Sequence, residues 1–215
     1  MRLVLLGAPG SGKGTQAGFL KTKYDCVHIS TGDILREHLR EKTELGLRAE
    51  SFMHEGELVP DAIIIDMVKE RLHQDDVAKG FIMDGFPRDI EQAEEFDKML
   101  SDMKLHLDAV LLINVDEEII IRRLTNRRIC RACGKPSNLL DVAPGTTSCP
   151  YCGGELYQRD DDSEPVIRHR LKVYKEQTEP IAGWYEGRGL LRTVEVREHY
   201  MPEDTFRAVG AVLGL

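Results

Sequence analysis

The sequence contains no apolar run that approaches the roughly 20 residues of a membrane-spanning helix. It also has no internal repeat and no low-complexity tract. Met1 and Arg2 lead directly into the first predicted strand, which leaves no room for a signal peptide before it. From these absences we expect a protein of the cytoplasm that does not enter a membrane.

Basic residues are fewer than acidic ones: the sequence has 29 lysines and arginines but 37 aspartates and glutamates, which gives a net charge of −8. A protein that binds nucleic acid as its main task usually carries a basic face and a basic total, since it must neutralise many phosphates. We therefore expect no nucleic-acid partner. A small anionic substrate remains compatible, provided that the cations gather in one cleft.

The chain does contain a regular alternation of short apolar segments and segments with helical periodicity. Its 215 residues, 41% hydrophobic and 31% charged, suit one globular domain with insertions. Strands are predicted at 2–6, 26–29, 81–83, 110–115 and 191–196, and helices at 14–23, 34–41, 61–72, 89–103, 116–126 and 164–188. This alternation predicts an α/β fold, a parallel sheet wrapped by helices on both sides. Asp61 and Asp116 are predicted helix N-caps.

Residues 3–15 read LVLLGAPGSGKGT, a buried strand followed by a glycine-rich turn and a predicted helix. The spacing from Gly7 to Gly12 and Lys13 is that of a phosphate-binding P-loop, in which backbone N–H groups, the helix dipole and a lysine converge on an anion. The usual hydroxyl residue directly after the lysine is missing, so magnesium ligation there stays open. A strand–helix turn without a ligand is the alternative. The candidate nucleotide-binding residues are Gly10, Ser11, Gly12, Lys13, Gly14 and Thr15.

Four of the five cysteines form two closely spaced pairs, Cys130 with Cys133 and Cys149 with Cys152. Each pair is followed by glycine, so each can form a tight turn. Four thiolates at this spacing are typical of structural zinc, and segment 127–163 has too few apolar residues for a core of its own. Two disulfides or free thiols are the alternatives, and iron or cobalt could also occupy four thiolates. Cys26 is predicted to be a buried residue within a strand.

Several motifs occur in the order, and near the spacing, of a known family. They are GAPGSGKGTQ at 7–16, STGD at 30–33, DGFPR at 84–88, Gln92, two arginines at 127–128, Arg159 with Asp161 and Asp162, and Arg170. On these residues the chain resembles an adenylate kinase of the bacterial long-lid type with a zinc-binding lid, in the nucleoside monophosphate kinase family. The resemblance implies a P-loop three-layer fold with a central parallel five-stranded sheet.

The same resemblance divides the chain into three parts. The core P-loop domain would comprise 1–29, 60–126 and 164–215, while 30–59 would bind the nucleoside monophosphate and 127–163 would form the lid. Both insertions would close over the substrates and exclude water. The implied reaction is reversible phosphoryl transfer from ATP to AMP, giving two ADP, with Mg²⁺ on ATP and structural Zn²⁺ in the lid. We expect a monomer.

Arginines dominate the implied phosphate site. Two polyphosphates repel each other, so transfer between them needs fixed cations and in-line placement more than covalent chemistry. Arginine suits this task because its planar fork grips phosphate oxygens and stays charged. By resemblance Arg36 and Arg88 hold the AMP phosphate, Arg127 and Arg159 close over the ATP phosphates, and Arg170 reaches the phosphates from the core.

Further residues complete the implied cleft beside Lys13. By resemblance, Arg123 packs beside the adenine of ATP, and Asp84 orients water on Mg²⁺, a hard cation that prefers oxygen ligands. A turn-capping aspartate is the alternative for Asp84. Asp161 and Asp162 resemble lid residues that form pairs or caps in the closed state, and a solvated acidic run is the alternative for both. The contact to the ATP adenine after the last strand is left unassigned.

The acceptor pocket is expected to select adenine through Thr31 and Gln92, since a glutamine amide offers a donor and an acceptor to the base edge. An N-cap and an exposed helix face are the respective alternatives. The resemblance adds Met53, Glu57, Leu58, Val59, Gly85, Phe86 and Pro87 to this pocket. A kinase for UMP, CMP or GMP is the first alternative function, and a non-enzymatic nucleotide-binding zinc-ribbon module is the second. The Asn-Lys-x-Asp motif of a GTPase switch is absent.

Overall fold

The computed structural model describes residues 1–215 and is built on one parallel sheet. Its five strands run in the order β2-β3-β1-β4-β8, and a separate three-stranded antiparallel sheet has the order β6-β5-β7. The strands are β1 Arg2–Leu6, β2 Val27–Ser30, β3 Phe81–Asp84, β4 Ala109–Val115, β5 Arg127–Cys130, β6 Pro136–Asn138, β7 Leu156–Tyr157 and β8 Leu191–Val196. The predicted central parallel sheet is confirmed, and each of its strands begins and ends within one residue of expectation.

Nine α-helices accompany these strands. They are α1 Lys13–Tyr24, α2 Thr31–Arg40, α3 Glu44–Glu55, α4 Asp61–Leu72, α5 Ile90–Asp102, α6 Glu117–Thr125, α7 Glu164–Val173, α8 Pro180–Glu186 and α9 Pro202–Leu213. A π-helical turn, Tyr174–Thr178, joins α7 to α8, so the predicted helix over 164–188 is divided. None of the helices has both the length and the apolar character that a membrane span requires.

The central sheet carries a core on each face. Val4 and Phe81 belong to a cluster of 23 buried residues on one side, and Leu5 and Ile82 belong to a cluster of 12 on the other. Because alternate residues of a strand point to opposite faces, an unbroken apolar run such as β1 is buried on both. The register pairs Leu5 with Asp84 of β3, so the carboxyl ends of these strands meet at one edge.

Local sequence signals explain most helix starts, but three of the predictions about caps, strands and helices need correction. Asp116 accepts a hydrogen bond from the Glu118 N–H and caps α6, as predicted. The prediction for Asp61 is wrong, because Pro60 is the N-cap and the Asp61 carboxylate instead accepts from the Gln92 side chain at 2.6 Å. Cys26 is buried as predicted, but it precedes β2 rather than lying in it. The C-terminal helix α9 was not predicted.

Candidate active site

The glycine-rich turn after β1 is shaped for an anion. Gly12, at φ +98°, precedes α1 and makes no side-chain cap, so the first N–H groups of the helix are left for a ligand. A Cβ at Gly7 would lie 2.6 Å from the carbonyl oxygen of Ile113, so only glycine fits there. Lys13 Nζ donates to the carbonyl oxygens of Gly7 and Ala8 at 2.7 and 3.0 Å. The lysine therefore lies against the loop that it would serve.

Electrostatics make this loop an unfavourable place for a lone cation. The pKa of Lys13 is lowered to about 8, mainly by burial; the charge of Asp84 opposes this shift, and the charges of Arg88, Arg170 and Arg127 add to it. Burial likewise lowers the pKa of Arg88 to about 10, with Arg170 as the next cause. Such an excess of positive charge in one cleft favours a polyanionic ligand.

Carboxylates hold the arginines of this cleft in place. Arg127 Nε donates to Asp162 Oδ2 at 2.8 Å, and Arg170 Nη1 donates to Asp161 Oδ2 at 2.8 Å. Asp162 is fully buried, so the alternative of a solvated acidic run is wrong for these two aspartates. Although burial raises the pKa of Asp161, the arginine charges, led by Arg170, outweigh it and lower that pKa overall.

Arginines from both insertions approach each other across the cleft. Asp33 of α2 pairs with Arg36 and also lies 3.9 Å from Arg159 Nη2, which follows β7. The pKa of Arg159 is lowered to about 10, mainly by burial and next by the like charge of Arg36. The structure does not bring Arg123 into this group, because the charges that act on it are those of Asp141 and Arg122.

The carboxylate at the end of β3 lies beside the P-loop. Asp84 raises the pKa of Lys13 by its charge, and its Oδ2 would be 3.7 Å from a Cβ at Gly14. It caps no turn, but its Oδ2 lies 3.3 Å from His28 Nε2. Sequence reasoning missed His28, although β2 and β3 end at the same sheet edge and could have indicated the contact.

A concave pocket lies on the other side of the cleft, between α2, the end of α3, the start of α4 and the β3–α5 turn. The predicted residues that line it are Thr31, Arg36, Met53, Glu57, Leu58, Val59, Gly85, Arg88, Gln92 and Arg170. Gly32, Leu35, Gly56, Ile64 and Asp161 also line it and were not predicted. Phe86 and Pro87, which were predicted to line it, do not, and Arg159, predicted to bind the ATP phosphates, also lies outside it. Phe86 is fully buried and packs edge-on against Phe96, with ring centroids 5.3 Å apart.

Hydrogen bonds order the polar wall of this pocket. Thr31 Oγ1 donates to the carbonyl oxygen of Gly85 at 2.9 Å. Gln92 is buried rather than exposed, and its Oε1 accepts from the Arg88 N–H at 2.9 Å while its Nε2 donates to Asp61. An amide has two donors and two acceptor lone pairs, so one of each remains at Gln92.

The four paired cysteines converge to form one cluster. The Sγ atoms of Cys130 and Cys152 are 3.5 Å apart, those of Cys133 and Cys149 are 3.7 Å apart, and all four lie within 4.8 Å of one another. Zinc–sulfur bonds of about 2.3 Å in a tetrahedron place sulfurs about 3.8 Å apart, whereas a disulfide is about 2.05 Å long. The geometry fits a tetrahedral metal ion, and no two of the sulfurs are at the distance of a disulfide.

Comparison with known proteins agrees with this geometry. The family model described as "Adenylate kinase" matches residues 5–190. The chain belongs to the adenylate kinase family. It is 52% identical to "Adenylate kinase" of Thermodesulfovibrio yellowstonii over 215 residues, with 99% of each chain covered. It is 50% identical to the adenylate kinase of Archaeoglobus fulgidus, covering 99% of this chain and 98% of the other, and 48% identical to that of Caldicellulosiruptor saccharolyticus over the full length of both.

Membership confirms the predicted resemblance, and with it the α/β fold of the family and the class of phosphotransferase. Each comparison covers the glycine-rich turn, the arginines and the cysteine cluster, because the alignments with these relatives extend over almost the whole chain. The alternative of a non-enzymatic zinc-ribbon module is therefore wrong for this adenylate kinase family member.

Proposed function

We propose that this chain transfers a phosphoryl group reversibly from ATP to AMP, giving two molecules of ADP. The observation that carries the proposal is the set of cations between two binding surfaces: Lys13, Arg88, Arg127, Arg159 and Arg170. On one side of them is the anion-binding turn, and on the other is the pocket lined by Thr31 and Gln92. The names of the relatives agree with this reaction.

Each side of the cleft has its own task. The backbone N–H groups of 10–15 and Lys13 bind the ATP phosphates, while Arg36 and Arg88 bind the phosphate of AMP. Arg127, Arg159 and Arg170 bind the phosphoryl group as it is transferred, and their positive charges stabilise its negative charge in the transition state. The carboxylates of Asp162 and Asp161 hold Arg127 and Arg170 in position before the substrates bind, so little reorganisation is needed during the reaction.

The residues present also fit a magnesium ion that enters with ATP. Mg²⁺ prefers oxygen ligands, keeps several waters and needs few protein carboxylates, and Asp84 supplies one carboxylate beside the P-loop. In most P-loops the hydroxyl residue directly follows the lysine, whereas here Thr15 stands one residue later. We therefore assign to Asp84 the role of orienting water molecules on the Mg²⁺ ion. The ion, when bound, would neutralise phosphate charge.

The segments 30–59 and 127–163 act as covers in this proposal. Asp33 and Arg159 approach each other from these two segments, which is the contact expected when both lie over the cleft. The four clustered cysteines would hold a structural Zn²⁺, which would support the small antiparallel sheet of the lid. Exclusion of water prevents hydrolysis of the phosphoryl group in transit.

Acceptor choice gives the sharpest test of the proposal. ADP formation from ATP is measured with AMP, UMP, CMP and GMP as the acceptor, at equal concentrations and with Mg²⁺ present. We expect kcat/KM for AMP to exceed the others by at least about tenfold, since a site that hydrogen-bonds the adenine edge leaves polar groups unpaired with another base. A preference for UMP, CMP or GMP would assign the chain to that acceptor instead.

A further inference from the structure

The end of the acceptor segment lies directly on α7. Gly56 ends α3 at φ +79°, a conformation that favours glycine. A Cβ at this position would lie 2.7 Å from Cγ of Arg170 and 3.2 Å from Cγ1 of Val166. The turn that begins at Gly56 therefore approaches α7 as closely as the backbone permits, and Gly56 and Arg170 both line the acceptor pocket.

The next residue of the turn forms a hydrogen bond with a side chain of the same helix. Glu57 Oε1 lies 2.6 Å from Nε2 of His169, and the two residues are 112 positions apart in the chain. Both side chains are about 40% exposed, at 39% for Glu57 and 40% for His169. Glu57 lines the acceptor pocket, whereas His169 does not. The histidine is thus behind the pocket wall and contacts it through one carboxylate.

The other charged pairs of α7 lead elsewhere. Arg168 pairs with Glu164 on the same helix, and Arg170 pairs with Asp161 in the segment before it. Among these side-chain pairs of α7, only His169–Glu57 reaches the segment 30–59. The pair and the Gly56 contact lie next to each other, so together they fix one end of the acceptor segment to the helix that carries Arg170.

We propose that His169 is a positioning residue for the acceptor site. Through Glu57 it holds the turn 56–59 against α7, so that this turn and Arg170 face each other across the pocket. The proposal deepens the function given above and rests on it, because it takes the occupant of the pocket to be AMP. A half-exposed pair makes a modest contribution, so its loss should weaken AMP binding about three- to fivefold.

The test is a double-mutant cycle with an exchange. His169→Ala, Glu57→Ala, the double variant and the exchange E57H/H169E are compared with the unmodified chain. KM for AMP, KM for ATP and kcat are measured, together with calorimetric binding of AMP alone. We expect each single variant to raise KM and Kd for AMP about three- to fivefold, the double variant to be no worse than either single, and the exchange to recover most of the loss. KM for ATP and kcat should change less than twofold.

Two controls separate this role from general damage. Arg168→Ala removes the neighbouring ion pair of α7, and His54→Ala removes an exposed histidine of α3, 4.0 Å from Glu50. Neither should change KM for AMP. Unchanged AMP binding in both single variants, effects that multiply in the double variant, or an exchange that is worse than either single would each overturn the proposal. Activity of the unmodified chain with AMP is measured before any variant is made. If that chain does not phosphorylate AMP, the proposed function is contradicted, whatever the role of His169.

Discussion

The central sheet and the lid segment 127–163 reach order by different physical means. The sheet is surrounded by two clusters of 23 and 12 buried hydrophobic residues. In the lid only Ile129, Cys130, Cys149 and Asp162 are buried, so it has almost no apolar core. Its order must come from the cysteine cluster and from ion pairs such as Arg127–Asp162.

This contrast matches what each region has to do. The sheet edge must hold the P-loop and Asp84 in fixed positions, and a large core provides that rigidity. In the proposed function, segment 127–163 is a cover that moves as a unit, and a metal ion held by the four cysteines would keep its shape as it moves. The two regions can therefore be damaged independently, and the predictions below run from the largest expected effect to the smallest.

Loss of the P-loop lysine should remove most of the catalytic activity while leaving the core of the sheet and the cysteine cluster intact. We expect Lys13→Ala to lower kcat about a thousandfold, because a cation at the phosphates is removed from a preorganised site. The melting temperature should stay within a few degrees, since Lys13 bonds only to carbonyl oxygens of its own loop. The measurement is steady-state kinetics beside thermal unfolding.

Arg207→Ala is the matched control, because that arginine is 80% exposed and pairs only with Asp204. It should leave kcat unchanged. Near-normal turnover of Lys13→Ala would show that the cleft has been assigned wrongly.

Removal of a buried aromatic ring from the core should destabilise the sheet without affecting metal binding by the cysteine cluster. Phe81 is fully buried and packs on Phe96, with ring centroids 6.2 Å apart. We expect Phe81→Ala to reduce the free energy of unfolding by about 3–5 kcal/mol. Denaturant titration measures this, and metal analysis of the folded variant should still find one zinc per chain. Loss of zinc from the folded protein would argue against separate sources of order.

Loss of one thiolate should have the converse effect. We expect Cys130→Ser to release zinc and to accelerate amide hydrogen exchange across 127–163, while protection of β1, β3 and β4 is retained. Activity should fall about tenfold, because the cover no longer holds Arg127 and Arg159 over the phosphates. Cys26→Ser is the control, since that buried thiol lies outside the cluster. A freshly purified unmodified chain that contains no metal would contradict this account of the lid.

Proton linkage gives the smallest predicted effect. The pKa of Lys13 is lowered to about 8 in the free protein, and phosphates should raise it, so ATP binding at pH 8 to 9 should take up a fraction of a proton. Calorimetry in buffers of different ionisation enthalpy measures this uptake, and Lys13→Arg should abolish it.

The same group also affects stability in the absence of nucleotide. Unfolding returns the pKa of Lys13 towards 10.5, so the unfolded chain binds more protons between pH 8 and pH 10.5. The contribution of Lys13 to the free energy of unfolding therefore rises with pH across that window. A fall over this window that Lys13→Arg removes would contradict the lowered pKa.

The sequence predicts short-range chemistry well in both regions. The P-loop and the cysteine pairs are each encoded in fewer than about 25 contiguous residues, and their spacing alone restricts the backbone. The positions of the five strands and their parallel direction follow from the apolar runs and the alternation with helices, whereas their order in the sheet was not predicted. For the same reason the cap at Asp116 is confirmed, because capping depends on adjacent residues.

Long-range pairing is what the sequence does not reveal. Asp61 has the pattern of an N-cap, but a glutamine 31 positions away competes for its carboxylate. The contact between His28 and Asp84 and the pair His169–Glu57 depend on how separate elements pack, which no local pattern encodes. The π-helical turn after α7 also has no local signal, and α9 follows a segment whose turn chemistry was not recognised.

The central claim is that one ring of cations neutralises two nucleotides that face each other. Calorimetry with two adenosines bridged by five phosphates tests it directly, because this molecule occupies both surfaces at once. We predict binding at least about a hundredfold tighter than that of ATP or AMP alone, and a large loss of affinity in Arg88→Ala. Binding no tighter than that of ATP would contradict the account.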